Sequence, residues 1–328
     1  MGALDCVNKM SPTESTEVFT VPMASSTTLN EPKRDVESQA QIRGCVNRKN
    51  LWWTVGVDIP LLLIVLALII LFEVNIIPAH KFGFYCNDPA ISFPYDGDTV
   101  TTEILISTLA FMPLLIMFPT EMIFANADYT LKERTFKSLR NTACLYRTYL
   151  FGLLMNLGIV EVMKGLIGTP RPTFFDLCAP DAAKTCTGSE FVSKYECTST
   201  KYSSWYQMDS YRSFPSGHAS MSVYCGLFLA WYLQRRAFDW THRTVVLVPV
   251  LQLLCISYAA ICSLTRITDH RHHWWDVLAG TGIGIVTFIY AAMLIRNKLK
   301  SRSSVQSIAV KSDASQHTIG TLLFDERR

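Results

Sequence analysis

Thr265-Arg-Ile-Thr-Asp-His-Arg-His-His-Trp-Trp-Asp276 separates two long apolar runs. Its reading decides whether those runs carry a site or only cross a lipid phase. The pattern predicts a short loop that turns into a helix at about His272. Four residues separate His272 from Asp276, which on a helix puts both side chains on one face. A carboxylate there can hold one imidazole nitrogen and leave the other free and more basic. Arg266 can bring a cationic fork over the same point. Two plainer readings compete: a metal site built from His270, His272 and His273, and a polar helix cap with Trp274 and Trp275 as interfacial anchors. No second ligand cluster completes a metal site, so none is expected.

The composition narrows the class. Of 328 residues, 49% are hydrophobic and only 17% charged, with a net charge of +3. That is too apolar for an ordinary soluble protein. The basic residues fall in short clusters beside apolar runs, which suits membrane topology and argues against a nucleic-acid partner. Ten cysteines without a CxxC pair argue against zinc.

Six apolar runs stand at about 51–77, 104–125, 145–168, 217–234, 244–264 and 275–295. Each is near bilayer length. The expected fold is an all-α membrane protein, six transmembrane helices in one bundle over residues 46–298. Residues 1–45, rich in Ser, Thr, Pro and Glu, are expected to be a disordered cytosolic tail rather than a signal peptide, and 299–328 a second such tail. Lys33, Arg34, Arg43, Arg48 and Lys49 precede the first run; Lys132, Arg134, Lys137 and Arg140 follow the second. Arg235, Arg236 and Arg243 follow the fourth, and Arg296, Lys298, Lys300 and Arg302 the sixth. All four clusters fall on one side of an even-numbered bundle, so that side and both termini are expected in the cytosol.

The other side receives the connections at about 78–103, 169–216 and 265–276. Cys86, Cys178, Cys186 and Cys197 lie there, facing an oxidising compartment, and are expected to form disulfides of open connectivity. Cys144, Cys225, Cys255 and Cys262 read as packing residues. Asp58 and Glu161 read as acids paired structurally inside the bundle, away from the outer surface.

Two further motifs reach the same face. Lys164-Gly-Leu-Ile-Gly-Thr-Pro-Arg171-Pro172 ends the third run, where Pro170 and Pro172 stop the helix. Arg212-Ser-Phe-Pro-Ser216-Gly217-His218 opens the fourth, and Ser216-Gly217 offers helix N-terminal N–H groups to an anion. Lys164, Arg171, Arg266 and these donors together describe a phosphate cradle. Phosphoryl transfer spreads charge over the equatorial oxygens, so a cradle supplies most of the catalysis. His272, oriented by Asp276, is the candidate nucleophile, and His218 the candidate proton donor to the leaving alkoxide. No carboxylate cluster suggests Mg²⁺, so metal-independent hydrolysis with no cofactor is expected.

Lys-x6-Arg-Pro, Pro-Ser-Gly-His and (Ser/Thr)-Arg-x5-His-x3-Asp, in that order, resemble the three signatures of the type 2 phosphatidic acid phosphatase superfamily. The six runs and Phe-Tyr-Cys-Asn-Asp at 84–88 are similar to its animal lipid phosphate phosphatases. The resemblance covers about 52–296. It implies a phosphatase acting on phosphatidate, lysophosphatidate, sphingosine 1-phosphate or ceramide 1-phosphate through a phosphohistidine. His272 would be its nucleophile and His218 its general acid, with phosphate bound by Lys164, Arg171, Ser216, Gly217 and Arg266. It implies a plasma-membrane enzyme, with endoplasmic reticulum and Golgi as alternatives, an extracellular or luminal site and homo-oligomers. Thr265 stands where that pattern has Ser, and the 169–216 loop has no Asn-x-Ser/Thr sequon.

Independently of the resemblance, Trp205, Trp274, Trp275, Phe174 and Phe175 are expected to rim the pocket at headgroup depth, where a lipid phosphate can enter with its chains still in the bilayer. A prenyl or dolichyl pyrophosphate phosphatase of the endoplasmic reticulum lumen and a non-catalytic lipid-phosphate-binding membrane protein are the competing readings. A vanadate-dependent haloperoxidase shares the anion pocket, but six spans argue against it.

Overall fold

A computed structural model describes residues 59–74, 76–125, 129–237 and 246–296. Asp58 and both expected tails lie outside the described residues. The chain there is mostly helical: α1 (Ile59–Glu73), α2 (Thr102–Ile123), α3 (Leu131–Ile167), the short α4 (Phe174–Cys178) and α5 (Ser204–Asp209), α6 (Gly217–Arg236), α7 (Leu247–Thr268) and α8 (Trp274–Arg296). Two-residue strands β1 (Phe84–Tyr85) and β2 (Phe191–Val192) pair antiparallel.

Four described helices, α2, α3, α7 and α8, are long and apolar enough to cross a membrane. Their outer faces expose Phe111, Leu115, Leu253, Leu264 and Val286, side chains that only a lipid phase accommodates in such number. The α6 helix falls outside this group because it is the centre of the bundle. It buries Ser220, Ser222, Tyr224, Gly226, Phe228 and Leu229 against neighbouring helices, so it needs no apolar coat. The described part of α1 is apolar but has 15 residues.

The third run begins earlier than expected. The α3 helix starts at Leu131 behind a Thr130–Glu133 capping box, and it spans 37 residues, about 55 Å at 1.5 Å per residue. Lys132, Arg134, Lys137 and Arg140, expected in a loop, therefore ride on a helix. Apolar periodicity marks where lipid begins, not where hydrogen bonding begins. At the far end Gly168 takes the left-handed conformation (φ 64°) that closes the helix before Pro170. A Cβ there would lie 1.6 Å from the carbonyl oxygen of His80, so only glycine fits.

Close helix approach fixes the centre. A Cβ at Gly280 would meet the Ser216 carbonyl oxygen at 2.4 Å, and one at Gly284 the Ser220 carbonyl at 2.5 Å. These two glycines, four apart, let the α8 backbone lie against α6. Gly226 does the same for α7, facing the Cys255 carbonyl at 2.6 Å. Asn156 ties α3 to both: its amide donates to Thr287 Oγ1 (2.8 Å) and its carbonyl accepts from Ser220 Oγ (2.8 Å). At the other end, buried Glu121 of α2 accepts from Arg236 (2.9 Å), Tyr232 (3.0 Å) and Asn141 (3.0 Å).

The connections 78–103 and 169–216 build a cap with its own small core of Phe84, Ile91, Phe174, Tyr195, Met208 and Tyr211. Disulfides Cys86–Cys186 and Cys178–Cys197 cross it. Phe174 is fully buried and Phe175 half-buried in this core, so neither rims the pocket as expected. Cys225, Cys255 and Cys262 are unbonded and buried. Cys144, expected to be a packing residue like them, is disulfide-bonded.

A valine at Gly280 or Gly284 should push α8 off α6 and cost about 1–3 kcal/mol by overpacking. Thermal unfolding of the detergent-solubilised protein should show a lowered Tm for each. Gly282→Val, with nothing within 4 Å of its Cβ, should leave Tm unchanged.

Candidate active site

The three motifs meet at one end of the bundle. The N-terminus of α6 is capped by Ser216, whose Oγ accepts from Ala219 N (3.4 Å) while its own N–H donates to the Asp276 carbonyl (3.0 Å). That second bond ties the start of α6 to the first turn of α8. The N–H groups of Gly217 and His218 have no intrahelical acceptor, as in any first turn, and the helix dipole adds partial positive charge there. A Cβ on Gly217 would lie 3.6 Å from Lys164 Nζ, so glycine keeps the space beside that ammonium open. His218 is half-buried, and its Nε2 is buried without a hydrogen-bond partner.

His272 departs from the expected helical position. The α7 helix runs on to Thr268, and His270 turns the chain with a left-handed φ of 51°. The Arg266 carbonyl accepts from the N–H of both Arg271 and His272 (3.0 and 3.1 Å). The next helix starts only at Trp274, because Asp276 at its third position reaches back to the N–H of His273 (3.0 Å), half of a capping box. His272 thus sits in the loop, with Nδ1 3.7 Å from Asp276 Oδ2, too long for a hydrogen bond. The Ser213 hydroxyl stands at the same place, donating to Asp276 Oδ2 (2.5 Å) and lying 3.5 Å from His272 Nδ1.

On the other side of the ring, Arg171 Nη1 lies 3.4 Å from His272 Nε2. Arginine can only donate, so Nε2 carries the lone pair and Nδ1 the proton, which then faces Ser213 and Asp276. This is the tautomer a nucleophilic Nε2 requires. Burial, then the charges of Arg171, Lys164 and His218, hold the His272 imidazole well below its ordinary pKa of 6.5 and keep it neutral.

The cations are not loose. Arg171 directs Nε to the Asp209 carbonyl (2.7 Å), Nη2 to Asp209 Oδ1 (2.5 Å) and the Arg212 carbonyl (3.4 Å), and Nη1 to the Arg271 carbonyl (3.1 Å). With His272, all five N–H groups are engaged, so no two of them stand free as a fork. From Arg171 the charges alternate: Asp209 Oδ2 accepts from Arg271 (2.7 Å), Arg271 Nε lies 3.0 Å from Asp98 Oδ1, and that oxygen accepts from Arg266 (3.1 Å). Arg266 also pairs with Asp269 (2.9 Å), which Thr99 holds through N–H and hydroxyl (2.8 and 2.7 Å). Burial would raise the Asp209 carboxyl, but Arg171 and Arg271 outweigh it and hold the group below its usual range. Burial lowers the Arg171 guanidinium to about 10, still cationic at neutral pH.

Glu161 belongs to the site, contrary to its expected place deeper in the bundle. It accepts from Lys164 Nζ (3.0 Å) and pairs with Arg212 through a short contact. One helical turn below Lys164 is close enough to share its headspace. Sequence reading missed Asp98, Asp209, Arg271 and Ser213 as site members. Arg271 and Ser213 stand inside quoted motifs; Asp98 and Asp209 stand in loops with no local signal. Trp274, Trp275 and Trp205, expected at the rim, are 61%, 47% and 44% exposed.

A multi-pass membrane protein with a buried cationic site at the mouth of its bundle is the class this geometry defines. Residues 145–300 match the PAP2 superfamily. Over 257 residues the chain is 31% identical to phospholipid phosphatase 2 of Mus musculus, covering 76% of this chain and 89% of that protein. Phospholipid phosphatase 1 of Mus musculus is 30% identical over 226 residues, 68% and 77% of the two chains. Phospholipid phosphatase 2 of Homo sapiens is 29% identical over 256 residues, 76% and 85%. The chain belongs to the phospholipid phosphatases of the PAP2 superfamily. No solved structure matches it.

A neutral buried histidine stabilises the fold above its unfolded pKa, and that stability is lost as pH falls from 6.5 toward the depressed folded value. The loss should be about 1.4 kcal/mol per pH unit within that window. Tm measured from pH 7.5 to 4.5 should therefore fall below pH 6.5 less steeply in His272→Asn than in the wild type.

Proposed function

We propose that this chain is an integral-membrane lipid phosphate phosphatase that hydrolyses phosphomonoesters of phosphatidate, lysophosphatidate, sphingosine 1-phosphate or ceramide 1-phosphate. The observation that carries this reading is His272, neutral, with its Nε2 beside Arg171 and its Nδ1 toward Asp276 and Ser213. The printed names of the relatives, phospholipid phosphatases, support the substrate class.

In this reading α1, α2, α3, α6, α7 and α8 make six passes, both termini are cytosolic, and the site opens to the extracellular or luminal side of the plasma membrane or an internal membrane. The phosphate lies between Lys164 Nζ, which keeps N–H groups beyond its bond to Glu161, and the first-turn N–H groups of α6. The Nε2 lone pair of His272, released from its long contact with Arg171 Nη1, attacks phosphorus in line as the P–O ester bond breaks, and the freed N–H turns to a phosphoryl oxygen. Protonated His218 passes its proton to the departing alkoxide. The phosphohistidine is cationic, and its Nδ1–H closes on Asp276. His218 then takes a proton from water as the oxygen attacks phosphorus, breaking the P–N bond and releasing inorganic phosphate. Ser216 Oγ serves the helix cap and Arg266 serves its acids, so their parts in binding are to shape the cradle. Asp98, Asp209 and Asp269 are committed to guanidinium groups, which supports chemistry without a divalent cation or other cofactor. Trp274 and Trp275 beside the loop suit a substrate whose chains stay in the bilayer. Homo-oligomers and the absence of a nucleic-acid partner belong to the same reading.

Phosphate release from a lipid phosphate panel by purified protein tests it. His272→Ala should lower turnover at least about 100-fold, and Asp276→Asn less, since orientation and not bond formation is lost. EDTA should leave turnover unchanged, and a polyprenyl pyrophosphate should be the poorer substrate. Near-wild-type turnover in His272→Ala would overturn the mechanism.

A further inference from the structure

We propose that Asp209 is a positioning residue of this site, acting by occupying the back of Arg171. The inference rests on the phosphatase reading above. Asp209 stands at the end of α5, outside all three motifs, and its side chain is buried. Its carbonyl takes Arg171 Nε and its Oδ1 takes Arg171 Nη2, so the flank of the guanidinium that forms a two-pronged anion grip is already filled. Of the two Nη1 hydrogens, one goes to the Arg271 carbonyl and the other faces His272 Nε2. Arg171 therefore presents one N–H where the phosphorus–nitrogen bond forms, and not a fork to the bound substrate.

The second carboxylate oxygen does a related task. Oδ2 takes Arg271, so one anion keeps two guanidinium groups apart and fixed in a buried space. Arg271 in turn lies over the Tyr95 ring at 4.9 Å and reaches Asp98. Asp209 thus joins the 169–216 connection to the 265–276 loop, and through Arg271 to the 78–103 connection. An interaction that favours the transition state over bound substrate raises kcat, whereas a cation free to grip phosphate equally in both states lowers KM alone. Releasing Arg171 from Asp209 should therefore tighten ground-state phosphate and slow transfer.

The test uses full-length protein in detergent micelles, with phosphatidate as substrate and inorganic phosphate as probe. Asp209→Asn, similar in size but uncharged, should lower kcat at least about tenfold and lower the inhibition constant of inorganic phosphate about threefold or more. Asp209→Glu, which restores the charge, should return both values toward wild type. A wild-type kcat in Asp209→Asn, or a kcat loss with unchanged phosphate inhibition, would overturn the proposal, because a purely structural defect removes active protein without altering affinity. If Asp209→Asn does not fold, the charge-balanced pair Asp209→Asn with Arg271→Gln is read the same way: the same split supports the proposal, and wild-type constants overturn it. Phosphate affinity is also measured directly by calorimetry. A wild type that binds phosphate but hydrolyses nothing removes the phosphatase reading alone; unchanged phosphate affinity in Asp209→Asn removes the role of Asp209 alone.

Discussion

Crowding of like charge is the constraint around which the outer end of the bundle is built. Lys164, Arg171, Arg212, Arg266 and Arg271 converge on one largely buried space, and unpaired they would repel one another at a cost no small membrane fold could absorb. Four carboxylates answer these five cations by sharing: Glu161 takes Lys164 and Arg212, Asp209 takes Arg171 and Arg271, Asp98 takes Arg271 and Arg266, and Asp269 takes Arg266. The carboxylates come from a transmembrane helix, two cap connections and the α7–α8 turn. Neutralising the site and assembling the cap are thus the same event. Each of these side chains is thereby held by at least one partner of opposite charge.

The bundle beneath supplies the distances. Gly280 and Gly284 let two backbones touch where bulkier residues would separate them, and the Ser216–Asp276 main-chain bond carries that proximity up to His218 and His272. Asn156 joins the same two helices to α3, the helix that bears Lys164. Polar contacts at mid-bundle therefore register the helices whose ends carry Lys164, Ser216 and Asp276.

Much of this was legible in the chain alone. Hydropathy locates the helices that face lipid, and Pro170 and Pro172 mark where α3 stops. The short motifs single out Lys164, Arg171, His218, Arg266, His272 and Asp276 by local spacing, and the fold brings these residues to one end of the bundle. What escaped depended on partners distant in sequence. Asp209 and Asp98 look like ordinary loop acids until folding sets them against Arg171 and Arg266. The spacing of His272 to Asp276 is helical, yet Asp276 spends its carboxylate on capping and pushes the helix start two residues later. Phe174 and Phe175 looked like membrane-edge aromatics, but the cap has a core of its own to fill. The start of α3 was missed because a charged helical turn has no apolar signature.

The two crosslinks in the cap close loops of 19 and 100 residues. Restricting the unfolded chain in this way is worth on the order of 3–5 kcal/mol each. Both pairs lie in the cap, among the residues of its own small core. They brace the segment that delivers Arg171, Asp209, Arg212 and Ser213. The two bonds thus act on those side chains from a distance, by limiting how far the segment that carries them can open.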